Sequence, residues 1–172
     1  LKRYQTSSDL GQKLRRVQAN VVEEFQLAVT RQSPRTRSQI HTSAFVHVDR
    51  IEELKAKTSV AWDLSRLLAL CEELNTAWQY GSHHSVAMLT RALLDHIPPI
   101  FAQKSFAGLA SSYAGSRSFK EAMENLDKMS RKIADGHLHS QIREREILPT
   151  ANQVDFRPGV DLLLSEVVRI VP

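Results

Sequence analysis

Cysteine is almost absent from this chain of 172 residues, and so are the motifs of several common enzyme classes. The single Cys71 excludes an internal disulfide and fits a reducing cytoplasm; it lies in an apolar helical stretch, where we expect a buried structural thiol. The H-H and H-x-H spacings of His83, His84, His137 and His139 are compatible with a metal ion. No H-E-x-x-H motif, cysteine pair or dense carboxylate cluster accompanies them, so we expect no metal and no other cofactor.

Glycine-rich phosphate loops and long apolar runs are also missing. Neither G-x-G-x-x-G nor G-x-x-x-x-G-K-[ST] occurs, which excludes Rossmann-type and P-loop nucleotide binding by the sequence given. No apolar run approaches the ~20 residues that a membrane-spanning helix needs, so we expect no membrane contact. The N-terminus is polar and basic and is not a signal peptide, and it lacks an initiator Met. We therefore expect a cytoplasmic protein, and a chain that is a piece of a longer one.

Positive charge is concentrated at the N-terminal end. Residues 1–40 hold eight Lys and Arg against three Asp and Glu, whereas the rest of the chain is close to neutral. Apolar residues recur there at spacings of three and four: Leu10, Leu14, Val17, Val21, Phe25 and Ala28. We predict a basic amphipathic helical arm over 1–32. It would contact nucleic acid or an acidic partner, or would simply be a solvated helix face; aromatic residues do not alternate with its basic ones, so base stacking is not indicated.

Helical periodicity also dominates the remainder, and no strand pattern is convincing. The polar segment 33–58 is predicted to be a linker with one short helix, and 59–172 to hold four main helices. The short connection Gly81–Ser82 requires the first two of these to be antiparallel, and Pro98–Pro99 ends the second. The third, "SRSFKEAMENLDKMSRKIADG", turns either Met129 or Ser130 inward. We predict an all-α fold, an up-and-down four-helix bundle with an N-terminal helical extension.

The stretch "RALLDH" is the first candidate for chemistry. Arg91 and Asp95 are four residues apart, so they share a helix face and can pair. His96 lies near the helix C-terminus, where the helix dipole favours a protonated imidazole. One interpretation is an arginine that binds phosphate beside a proton-transferring histidine; the other is an intrahelical ion pair with a terminal histidine.

The second candidate is the stretch "SRKIADGHLH", which carries Arg131, Asp135, His137 and His139. Metal-free RNA cleavage needs a base for the 2′-OH, an acid for the leaving oxygen and a cation for the phosphate, roles that His and Arg can fill. In a continuous helix His137 would lie about 120° round from Arg131. The motif therefore assembles only if the helix breaks at Gly136; without a break, the stretch is an ordinary helix end.

The order of helices from about residue 60 to 171 resembles the HEPN superfamily, helical domains of prokaryotic toxins and antiviral systems. Its signature is an arginine, four to six residues and a histidine before the last main helix, and "RKIADGH" matches it with Arg131 and His137. The stretch is also similar to a HEPN-related, abortive-infection-type pattern of an arginine, a Gly-Asn pair and a later histidine. There Arg131, Asp135 and His139 correspond. The resemblance implies that these four residues are catalytic, with Asp135 orienting a histidine.

The same resemblance implies further residues, partners and a function. Arg91-x4-His96 fits the loose signature, and Lys132 follows the arginine where active members often carry Asn, Asp or His; these three are the candidate binding residues. The family implies a homodimer, RNA as a partner, metal-independent endoribonuclease activity, and a place among the domains or subunits of a toxin–antitoxin or antiviral-defence system. The alternative is a non-catalytic dimerisation or effector-binding module of a larger multidomain protein, as in members that have lost catalysis.

Overall fold

Helices make up all the regular secondary structure of the part that this computed structural model describes, residues 43–57 and 61–172. The helices are α1 (Val48–Lys55), α2 (Ser65–Gln79), α3 (His83–His96), α4 (Phe106–Ser112), α5 (Arg117–Leu138) and α6 (Arg157–Ile170), with a 3-10 helix over Pro98–Phe101. The all-α prediction is confirmed for this part of the chain. The predicted arm 1–32 lies outside the described residues, all of which belong to one unit spanning 39–172.

Helix α2 ends at the glycine that the sequence indicated. Gly81 has a φ of 63°, a left-handed conformation that glycine adopts without strain. Its N–H donates to the carbonyl of Trp78, and the N–H of Ser82 donates to the carbonyl of Ala77 at 2.8 Å, which is the Schellman arrangement. This short connection folds α3 back along α2, and the two helices pack against each other, as an antiparallel pair requires.

The long helices pack in chain order. Helix α2 contacts α3, α3 contacts α5, and α5 contacts α6, while α1 contacts both α6 and α2. Ile51 and Leu54 of α1 are buried, and Phe45 ahead of it is buried too, so the segment predicted as a linker contributes to the core from Phe45 onward. On α5 the inward position is Ser130, which is fully buried, whereas Met129 is 53% exposed.

Helices α3 and α5 carry most of the candidate residues, so their contact positions the site. Both have small buried side chains, Ala87 and Thr90 on α3 and Ser130 and Ala134 on α5, which lets two helices approach closely. The loop between α5 and α6 is fastened to the start of α3, because His83 Nδ1 lies 3.0 Å from the carbonyl oxygen of Pro149. None of the described helices is both long and apolar enough to cross a bilayer.

Candidate functional site

Helix α5 does not break at Gly136. It runs on to Leu138, and its C-cap His139 donates its N–H to the carbonyl of Asp135 at 3.2 Å. An Asp-Gly pair favours a turn in isolation, but packing overrides that preference here, since the buried Ala134 holds the last turn on the core. His137 therefore stays about 120° round the helix from Arg131, and the assembly that required a break at Gly136 does not form within the described chain.

Arg131 is held between two carboxylates. Its Nε donates to Asp127 Oδ1 at 2.6 Å within α5, and its Nη2 donates to Asp95 Oδ1 at 2.8 Å across to α3. Burial lowers the pKa of Arg131, but the hydrogen bonds to Asp127 and Asp95 outweigh burial and raise that pKa above its ordinary value. The guanidinium is therefore permanently charged, and two of its N–H donors bind carboxylates of its own chain.

Arg91 occupies the matching position on α3. Its Nη1 donates to Asp135 Oδ1 of α5 at 2.6 Å, and its Nε reaches Asp95 Oδ2 at 3.4 Å, so the intrahelical pair expected from the spacing is present. Together with Arg131 and Asp127, these side chains form a network of two cations and three anions that joins α3 to α5. The excess of carboxylate charge disfavours a phosphate at this network.

The other candidates of the sequence are dispersed. His96 is half-buried at the end of α3, where burial, and then the charge of Arg66, lower its pKa, so the neutral imidazole is favoured. Lys132 is exposed, and no ion pair involves it among residues 43–57 and 61–172. His139 is an exposed helix cap on the far side of Gly136. These residues do not converge with Arg131 on one cleft.

His137 instead meets a histidine of α3. The rings of His84 and His137 lie edge to face, with centroids 4.9 Å apart and an interplanar angle of 78°. They line a cleft of about 350 Å³ between the start of α3, the end of α5 and the following loop, which also contributes Arg143 and Glu146. The backbone N–H of Arg143 donates to Glu146 Oε1 at 2.7 Å, which closes the turn that forms the cleft wall.

The sequence grouped His84 with His137 only as possible metal ligands and did not indicate Arg143, although one signal for the contact was readable. The arrangement R-x-x-x-D occurs three times, and two of the copies, Arg91-x3-Asp95 and Arg131-x3-Asp135, lie on α3 and α5. When α3 and α5 run antiparallel, the arginine of each copy meets the aspartate of the other, as observed. That register also brings the start of α3 to the end of α5, where His84 and His137 meet. Arg143 follows the helix in an irregular loop, whose course no periodicity predicts.

Cys71 is buried within α2, as expected for a structural thiol. Burial, with a smaller contribution from the charge of Glu72, raises the pKa of this thiol to about 12. Because the thiolate is the nucleophilic form, Cys71 is not a catalytic nucleophile at neutral pH.

Comparison of the chain with family models, with curated proteins and with solved structures gave no match. Within the described parts of the chain, no three His, Cys, Asp or Glu side chains are grouped so that they could hold a metal ion.

Proposed function

We propose that this chain is a non-catalytic, self-associating helical module of a larger multidomain protein, built as an up-and-down four-helix bundle of the HEPN type. The packing of α2, α3, α5 and α6 in chain order supports the bundle topology. The ion pairs of Arg91 and Arg131 support a structural role for the residues of the HEPN-like motif, since both guanidinium groups bind carboxylates of their own chain.

The observation that carries self-association is a group of exposed apolar side chains at the end of α5 and in the loop that follows it. Their exposed fractions are 61% for Leu138, 94% for Ile142, 75% for Ile147 and 68% for Leu148. Large apolar side chains grouped in one exposed stretch are typical of a surface that another molecule covers. Covering these side chains would stabilise the complex by about 25 cal/mol for each Å² of apolar surface removed from water.

Charge order in the same segment indicates that the covering molecule is a second copy. Residues 142–147 read Ile-Arg-Glu-Arg-Glu-Ile, and the reversed order places an acid opposite every base. Two copies related by a two-fold axis between 144 and 145 therefore align Glu144 with the partner's Arg145, and Ile142 with the partner's Ile147. A partner of a single charge sign would gain nothing from this alternation.

The oligomeric state of the full chain tests this proposal. Ile142→Lys and Ile147→Lys place charge in the proposed interface, whereas Val48→Lys changes a residue of α1 that is 58% exposed and serves as the matched control. We expect sedimentation velocity to show a concentration-dependent dimer for the unaltered chain and for the control, and a monomer for the two interface variants. An unaltered chain that stays monomeric at high micromolar concentration would contradict the proposal.

A second candidate function is metal-independent RNA cleavage, as in active HEPN proteins of toxin or antiviral systems. The pair His84 and His137 favours it, because two imidazoles with centroids 4.9 Å apart line the same cleft as Arg143, and together they supply the types of group needed for a base, an acid and a cation. The test is cleavage of a mixed-sequence RNA by the purified chain in EDTA. We expect His84→Ala and His137→Ala each to abolish cleavage; undiminished cleavage by both variants, or none by the unaltered chain, would reject this function.

A further inference from the structure

The cleft lined by His84, His137 and Arg143 shares Arg143, Glu146 and Ile147 with the segment proposed to self-associate, whereas its two histidines lie outside that segment. Its chemistry points to an anion. We propose that it binds the phosphoryl group of a small phosphomonoester, such as a mononucleotide. All three side chains belong to one chain, so the site does not rest on the dimer. It also does not rest on RNA cleavage, since binding a phosphate requires neither an acid nor a base.

Size and shape favour a small ligand. The cleft has a volume of about 350 Å³, at the lower end of the ~300–1,000 Å³ that small-molecule sites usually occupy. Ile147 and Leu148 contribute an apolar wall, and the lining also includes the two imidazoles. A phosphate on the imidazole side would leave the apolar wall for the uncharged part of the ligand.

The hydrogen-bond donors of the cleft suit an anion. Arg143 offers a guanidinium that makes no ion pair among the described residues, and guanidinium groups bind phosphate oxygens bidentately. His84 and His137 each add an imidazole, whose ring N–H can donate to a phosphate oxygen. Ser140 is not a donor here, since its hydroxyl donates to the carbonyl of Gly136.

The carboxylate of Glu146 repels a bound anion, so a variant without this charge should bind phosphate more tightly. Its carboxylate lines the cleft and accepts the backbone N–H of Arg143, so it shapes the wall while repelling a phosphate. Glu146→Gln retains an oxygen that can accept this bond but removes the charge. We therefore expect phosphate to bind about threefold more tightly to this variant, the effect of losing one partly exposed repulsion.

The primary experiment is an NMR titration of the full chain with inorganic phosphate, observing the imidazole resonances of all histidines. We expect saturable shifts of His84 and His137 and not of His139, which is exposed, does not line the cleft and serves as the internal control. Arg143→Gln should weaken binding at least about fivefold, whereas the matched control Arg145→Gln, which does not line the cleft, should leave it unchanged. Equal effects of the two arginine variants, or no saturable shift, would overturn the proposal.

Titrations with other phosphate-bearing ligands identify the source of the anion. A mononucleotide should bind more tightly than phosphate, because it also covers the apolar wall. A short RNA that binds more tightly than the mononucleotide would overturn the assignment to a phosphomonoester. The variant Ile142→Ser, which weakens the proposed self-association without changing any charge and does not line the cleft, should bind phosphate unchanged.

Discussion

Arg131 offers the clearest separation between a catalytic and a structural role. We expect Arg131→Met to destabilise the fold by about 2–3 kcal/mol. The larger part comes from the bond to Asp127, whose side chain is only 14% exposed, since a hydrogen bond to a charged group contributes ~1.5–3 kcal/mol. The bond to Asp95 adds only about 0.2–1 kcal/mol, because Asp95 is half-exposed and retains its ion pair with Arg91 in the variant.

The matched control is Arg117→Met on the same helix. Arg117 Nε donates to Glu121 Oε1 at 2.7 Å, an i to i+4 pair of the same chemistry, but its side chain is 92% exposed against 31% for Arg131. We expect little or no loss of stability from this change, since exposed pairs contribute little.

Urea denaturation followed by circular dichroism measures both free energies of unfolding. With an unfolding entropy of ~2.1 cal/mol/K per residue over about 130 residues, the Arg131 variant should also melt roughly 7–11 °C lower. If Arg131→Met is no less stable than Arg117→Met, the structural role assigned to Arg131 is wrong.

Three other predictions follow from single positions. Gly136→Ala should raise the free energy of unfolding by about 0.5–1 kcal/mol in urea denaturation, because Gly136 is helical and a Cβ there meets no atom within 4 Å; a loss of stability would mean that α5 breaks there. The pKa of His96 is lowered in the folded state, so the unfolded chain takes up its proton first, and stability falls as the pH drops below about 6.5; His96→Gln should flatten this fall between pH 7.5 and 5.5, and an unchanged pH profile would contradict it. Cys71 should react with a thiol reagent only as fast as the chain unfolds, and rapid labelling of the native protein would show that the thiol is not buried.

Much of the architecture is encoded in local patterns that can be read without a structure. Apolar residues at helical spacing and the Gly81 turn predict α2 and α3 and their antiparallel pairing, because both depend on neighbours in the chain. The part played by Phe45 and α1 is different. The helix is too short for a clear periodicity, and its place on the core depends on residues distant in the chain. Asn75 of α2, for example, binds both the N–H and the carbonyl of Val46, and Phe45 packs edge to face on Trp78.

The candidate site was harder to predict for a related reason. Arg131 and His137 are close in the chain, but their contacts are set by α3, whose register against α5 depends on the packing of small side chains. Arg131 therefore meets Asp95, and His137 meets His84. A motif defined by spacing along one helix cannot show that its arginine is bound to the neighbouring helix. The R-x-x-x-D copies on α3 and α5 indicate this contact, but only when both helices are considered together, since the arginine of each copy binds the aspartate of the other.

Self-association through residues 142–147 is tested most directly by mixing two charge variants. Glu144→Arg and Arg145→Glu each place like charges across the proposed two-fold axis, and each should weaken the dimer about thirtyfold, as roughly 2 kcal/mol for two reversed pairs implies. An equimolar mixture restores both pairs, so sedimentation velocity should show the dimer again in the mixture but not in either variant alone. Dimers that persist in both separate variants, or a mixture that remains monomeric while the unaltered chain dimerises, would contradict the proposed interface.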